Sequence, residues 1–158
     1  MNQEVFYKSP IGSIQILGNE EGIVSLLFLE ESIPTSIKIP DFLQKCVLQL
    51  EEYFIGKRTH FDLKLQLVGT DFQKSVWQEL QNIPSGKTIS YLEQSKKMNN
   101  VLAIRAIAAA NGKNPISIIV PCHRVVGSDG SLTGYAGGLW RKKWLLEHEN
   151  PSNQISLF

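Results

Sequence analysis

The sequence has 158 residues, 42% hydrophobic and 20% charged, with a formal net charge of +1. That composition fits one ordinary domain or two small ones and excludes a mostly disordered chain. The longest apolar runs, residues 24–29 and 116–120, fall far short of the roughly 18 residues a membrane helix needs, and the N-terminus lacks a basic region followed by an apolar stretch. Neither a membrane segment nor a signal peptide is expected. Two cysteines, Cys46 and Cys122, are too few for a disulfide scaffold, which points to a reducing, cytoplasmic location.

Charge divides along the chain. Residues 1–69 carry six basic and nine acidic side chains (−3), and residues 70–158 carry ten and six (+4). An anionic partner is therefore expected for the second half only. The first half opens with three apolar, partly β-branched runs around Val5-Phe6-Tyr7, residues 14–17 and residues 23–29, separated by Pro10, Gly12 and the turn at residues 18–22. This predicts a β-meander. After Pro40, the stripe Phe42, Leu43, Cys46, Val47, Leu50, Tyr53 and Phe54 predicts a helix ending at Gly56, with Cys46 as a buried, inert thiol.

The composition shift at residues 68–70 marks a boundary, giving domains 1–69 and 70–158. Thr70-Asp71-Phe72-Gln73 and Ser90-Tyr91-Leu92-Glu93 both have the form of capping boxes. The second opens a short helix ending near Met98-Asn99-Asn100, and a further helix is predicted over residues 101–111. Two short helices joined by a polar turn suggest a helix-turn-helix. On a helical wheel Val101, Ile104, Ile107 and Ala108 face the core, while Leu102, Ala106, Ala109 and Lys113 face outward with Arg105 at their edge. Small residues flanked by cations suit close approach to a phosphate backbone, although alanine is also simply the best helix former.

The run Asn114-Pro115-Ile116-Ser117-Ile118-Ile119-Val120 predicts a strand or extended segment that dives inward and ends at Pro121. Cys122 follows, with His123 and Arg124 beside it. Two readings stand on spacing alone: a core-filling thiol, or a nucleophile activated by a neighbouring base or cation. The glycine-rich stretch around residues 127–138 makes turns or permits close approach to a ligand. It is not a phosphate-binding P-loop, since no Gly-Lys-Ser/Thr follows. The last helix carries Trp140, Trp144, Leu145 and His148, with the tryptophans reading as core. His60, His123 and His148 form no metal-ligand spacing.

Pro121-Cys122-His123-Arg124-Val125 resembles the active-site signature of the O6-alkylguanine-DNA alkyltransferases, the methylated-DNA–protein-cysteine methyltransferases. Ser90-Tyr91, Arg105, Asn114, residues 135–138 and Trp144-Leu145-Leu146 to Glu149 fall in the family's order, so the resemblance covers essentially the whole chain. It implies an α+β protein: a small ribonuclease H-like sheet-and-helix domain, then a helical, winged-helix-like DNA-binding domain. The alkylated guanine of double-stranded DNA would be flipped into a pocket. Cys122 would take the alkyl group irreversibly, once per molecule. His123 (through a water) and Glu149 would make the thiolate, Asn114 would join the thiol region to the helix-turn-helix, and Tyr91 would protonate the leaving base. Arg105 would fill the vacated space in the duplex, with Ala106, Ala109, Lys113 and Arg124 at the DNA and the second helix in the minor groove. Tyr135, Ala136, Val125 and Trp140 would line the substrate pocket. No cofactor, no metal and a monomer are expected.

This chain departs from the family pattern in places. Some relatives carry serine where this chain has Ala136, which leaves alkyl size open, and action on O4-alkylthymine is open as well. The zinc ligands of certain relatives have no counterpart. Alkyltransferase-like proteins that only bind lesions have tryptophan in place of the cysteine, and Cys122 argues against that role. Two other classes fit parts of the sequence: a winged-helix regulator sensing alkylation or oxidation through Cys122, and a thiol hydrolase using Cys122 and His123. Neither accounts for Tyr91, Arg105, Asn114 and Glu149 together.

Overall fold

In the computed structural model, which describes residues 1–152, the chain forms two compact units. The first comprises Met1–Val68 and Pro115–Ile119, and the second comprises Gly69–Asn114 and the chain from Val120 onward. The end of the predicted second domain, residues 153–158, lies outside the described residues.

The first unit is the predicted meander. Strands β1 (Gln3–Ser9), β2 (Gly12–Asn19) and β3 (Gly22–Phe28) pair antiparallel in the order β1-β2-β3. Val5 and Tyr7 on β1 and Ile14 and Ile16 on β2 are buried at alternate positions, as the period of a one-sided sheet requires. Helix α1 (Asp41–Phe54) packs on β1 and β2. It buries Leu43, Cys46, Val47, Leu50, Tyr53 and Phe54, the stripe read from the sequence except for Phe42, which is half-buried. Burial pushes the Cys46 thiol up to about 12, which makes it unreactive.

The other edge of β3 is covered twice. Ile23 bridges Leu65, and Leu26 bridges Ile116, both in the parallel sense. The Leu26 N–H donates to the Pro115 carbonyl at 2.8 Å, and the Ser117 N–H returns a bond to Leu26 at 2.9 Å. An open strand edge invites pairing with other chains; here a segment from far along the sequence closes it. Pro115–Ile119 thus belongs with the first unit, whereas the sequence reading gave it to the second.

The second unit is helical. Helix α2 (Asp71–Leu80) and helix α3 (Tyr91–Lys97) each begin at a complete capping box, on Thr70 with Gln73 and on Ser90 with Glu93. Each box satisfies two amide donors that a helix start leaves free, worth about 1 kcal/mol. The turn after α3 passes through Asn99 at a φ of 54°. The next helix differs from expectation: Val101–Ala103 is a 3-10 turn, and α4 proper is Ile104–Gly112. The tighter turn moves Val101 out of the predicted core face, leaving it 46% exposed. Ile107, Ala110 and Asn111 are the buried positions.

Helix α4 packs against α2 and α3, and the Trp77 indole N–H donates to the Ala110 carbonyl at 2.8 Å. Short strands β4 (Ile89–Ser90) and β5 (Val125–Val126) pair in parallel, and α5 (Leu139–Glu149) follows. Gly138 caps α5 at φ 92° and ψ 149°, a conformation open in practice only to glycine. Among the described residues no helix is long and apolar enough to cross a membrane.

Candidate active site

Two three-residue turns deliver Cys122. The Ile119 N–H donates to the Ser117 carbonyl at 2.8 Å across Ile118, which has a φ of 69°. A β-branched residue rarely adopts that conformation, at a cost on the order of 1–3 kcal/mol. The Cys122 N–H then donates to the Val120 carbonyl at 2.9 Å across Pro121, at φ −84° and ψ 62°, an inverse γ-turn. The Asn114 side-chain amide donates to the same carbonyl at 2.7 Å and also bonds the Cys122 thiol. The expected inward strand is therefore only a single bridge at Ile116, followed by turns.

Cys122 lines a cavity of about 360 Å³, a size suited to a small molecule. Tyr91 contributes from α3, and Ala108, Asn111 and Gly112 contribute from α4. Thr133, Gly134, Tyr135 and Ala136 complete the wall. The Tyr91 hydroxyl donates to the Thr133 carbonyl at 3.2 Å and accepts from the Thr133 hydroxyl at 3.3 Å. Asn111 reaches the cavity from a reciprocal amide pair with buried Gln94, both bonds 2.8 Å.

His123 and Arg124 occupy the short 3-10 turn that Cys122 opens, and both are buried. His123 Nε2 lies 2.8 Å from Glu149 Oε2. Arg124 donates to both Glu149 oxygens, at 2.8 and 2.9 Å, and to the Ile83 carbonyl at 2.7 Å. Burial alone would raise the Glu149 carboxyl, but the charges and hydrogen bonds of His123 and Arg124 hold it far below the usual carboxylate range. His123 Nδ1 is buried with no partner among the described residues. Burial pushes the Cys122 thiol up, and what opposes it is the Asn114 hydrogen bond and then the Lys142 charge.

Several expected site residues lie elsewhere. Arg124, expected at DNA, turns inward to Glu149, because a guanidinium fork matches a buried carboxylate better than it matches solvent. The Val125 side chain is fully buried and absent from the cavity wall, because its strand β5 pairs with β4. Trp140 is 51% exposed, neither core nor cavity wall, and its ring stacks on the Arg141 guanidinium at 4.5 Å. Trp144, also read as core, is half-buried and stacks on His148. Arg105, Ala106, Ala109 and Lys113 are all exposed on or beside α4. The sequence reading missed Ala108, which it placed on the core face, and also Asn111, Gly112, Thr133, Gly134 and Lys142. Lys142 had a legible signal: it precedes Leu145, Leu146 and Glu149 by three, four and seven residues, which puts it on the buried face of α5.

A small sheet unit followed by a unit with a helix-turn-helix and a thiol lining a cavity is the architecture of a two-part protein with its chemistry in the second part. Residues 4–67 match the family model for the ribonuclease-like domain of 6-O-methylguanine DNA methyltransferase, and residues 71–151 match the model for its DNA binding domain. A methylated-DNA–protein-cysteine methyltransferase of Methanosarcina barkeri is 50% identical over 147 residues, covering 90% of this chain and 93% of that protein. One from Mycobacterium tuberculosis is 46% identical over 145 residues, covering 89% and 88%. The crystal structure of the Mycobacterium tuberculosis OGT in complex with DNA matches with a TM-score of 0.84 at 46% identity, over 92% of this chain and 91% of that one. The chain belongs to the 6-O-methylguanine DNA methyltransferase family.

Proposed function

We propose that Cys122 is the alkyl acceptor and that the cavity it lines receives an O6-alkylguanine flipped out of double-stranded DNA. The protein repairs DNA by moving an alkyl group from the damaged base onto its own cysteine. The observation that carries the residue assignment is a cysteine in a base-sized cavity beside a tyrosine hydroxyl, followed directly by a buried His123–Glu149 pair. A thiol that burial keeps protonated needs a base, and His123 Nδ1 is a buried nitrogen with no other partner among the described residues. Its Nε2 rests on Glu149, which stabilises the imidazolium once formed.

The reaction then balances. The sulfur attacks the alkyl carbon, a carbon–sulfur bond forms, and the bond from that carbon to O6 breaks. The electron pair passes to the base, which takes a proton from the Tyr91 hydroxyl. The proton released by the thiol restores the tyrosine through the protein, so the products are guanine and an S-alkyl cysteine. Water cannot readily cleave a thioether, unlike an acyl-enzyme, so each molecule acts once. Arg105, Ala106, Ala109 and Lys113 form the DNA face, with Arg105 filling the emptied position in the stack. The protein acts as a monomer.

Incubation with a duplex carrying one O6-methylguanine tests this. Peptide mass mapping should find one methyl on Cys122 and unmodified guanine in the DNA. Turnover well beyond one equivalent, or an adduct confined to Cys46, would overturn it.

A further inference from the structure

Lys142 is only 1% exposed, although it sits in the run Arg141-Lys142-Lys143. Its Nζ donates to the Thr133 carbonyl at 2.8 Å and lies 3.4 Å from the Gly134 carbonyl. It also stands 5.9 Å from the centre of the Tyr91 ring. The Thr133 carbonyl therefore receives both the Lys142 ammonium and the Tyr91 hydroxyl. Thr133, Gly134, Tyr91 and Cys122 line one cavity, which puts the amine directly behind a wall that the thiol shares.

A buried ammonium is strongly disfavoured unless paired. Among the described residues no carboxylate pairs with Lys142, and its bonds go to carbonyls. The charge that couples to it is that of Cys122.

We propose that Lys142 is a positioning residue for alkyl transfer, directing its ammonium toward the acceptor sulfur and, through the Thr133 carbonyl, fixing Tyr91 in the wall of the same cavity. This rests on Cys122 as acceptor, yet it concerns the ionisation of the thiol and can be read without alkylated DNA. Burial draws the Lys142 amine down to about 8, and the Cys122 charge acts against that fall. The other titratable or charged groups nearby are Tyr91 from α3, Tyr135 from the loop before α5, and His123, Arg124 and Glu149. Arg141, next to Lys142 on α5, donates to the Gly137 carbonyl.

The test is the rate of Cys122 alkylation by iodoacetamide as a function of pH, with peptide mapping to separate it from Cys46. In Lys142→Met the inflection should move up by about one pH unit, which makes the reaction about tenfold slower below both inflections. Lys142→Arg should keep most of the native profile. Uniform slowing with an unmoved inflection would mean that Lys142 merely braces the loop, and would overturn the proposal. If Lys142→Met does not fold, NMR of lysine-labelled protein gives the reciprocal measurement. The Lys142 ammonium should lose its proton at lower pH in Cys122→Ala than in the native protein, and equal titration in the two would overturn the proposal. Either negative result would leave a methyl adduct on Cys122 intact, so failure of this inference is distinguishable from failure of the acceptor assignment.

Discussion

Glu149 holds a histidine ring and an arginine guanidinium with one buried carboxylate, and removing its charge has effects of two kinds. Glu149→Gln leaves Arg124 buried without its counter-ion, so stability should fall by about 3–5 kcal/mol. The folded carboxyl lies below its unfolded value, so its contribution is fully present above the unfolded pKa of about 4.3 and is lost as pH falls through the window beneath it. Denaturant midpoints of the native protein and the Glu149→Gln variant should accordingly differ by a gap that is constant above about pH 5 and narrows in acid. A gap that does not change with pH would show that the carboxylate is not the source of the stability. At this scale the sequence marked Cys122 as one of two things, a core thiol or a nucleophile, and Tyr91 entered only through the family resemblance; both line the cavity wall. It was not legible for Arg124, because a cation's sequence neighbours do not reveal whether a buried carboxylate awaits it. For Lys142 the helical spacing carried an unread sign of burial, but nothing in the sequence points to the carbonyls that receive it.

Helix α4 presents Arg105 and its small neighbours outward, away from buried Ile107 and Ala110. If Arg105 enters the stack, Arg105→Ala should slow repair of duplex O6-methylguanine at least tenfold while leaving reaction with free O6-benzylguanine nearly unchanged. Equal losses on both substrates would assign Arg105 to folding. Helix starts were readable because a capping box is a local contract between residues three apart, met in full at Thr70 and Ser90. Removing the Ser90 hydroxyl by Ser90→Ala should cost about 1 kcal/mol, measurable as a shift in denaturant midpoint. The 3-10 turn at Val101–Ala103 and the paired turns before Cys122 were not readable. Both are set by hydrogen bonds whose geometry leaves no period in the sequence.

For the whole molecule, the contrast between an acidic first half and a basic second half matches the division of labour between a ribonuclease-like domain and a DNA binding domain. Binding to undamaged duplex should therefore weaken steeply with salt, with a linear fall of log affinity against log salt. A salt-insensitive affinity would argue that the cations on and beside α4 do not meet phosphates. The change near residue 69 was visible because an acidic segment gives way there to a basic one that opens on a capping box. The return of Pro115–Ile119 to the first unit was not, since a five-residue apolar segment looks the same whichever sheet it completes.

That returning segment matters to anyone dividing the gene. A cut between residues 69 and 70 would strand Ile116 and Ile118, both buried in the intact chain, on a fragment that lacks the sheet they complete. The fragment of residues 1–69 would carry β3 with half of its outer edge bare. Expressed separately, each piece should be prone to aggregate. Expressed together they have a reason to reassociate, because one donates the bridging segment the other is missing, and recovery of alkyl transfer on mixing would make the protein a split reporter without engineering.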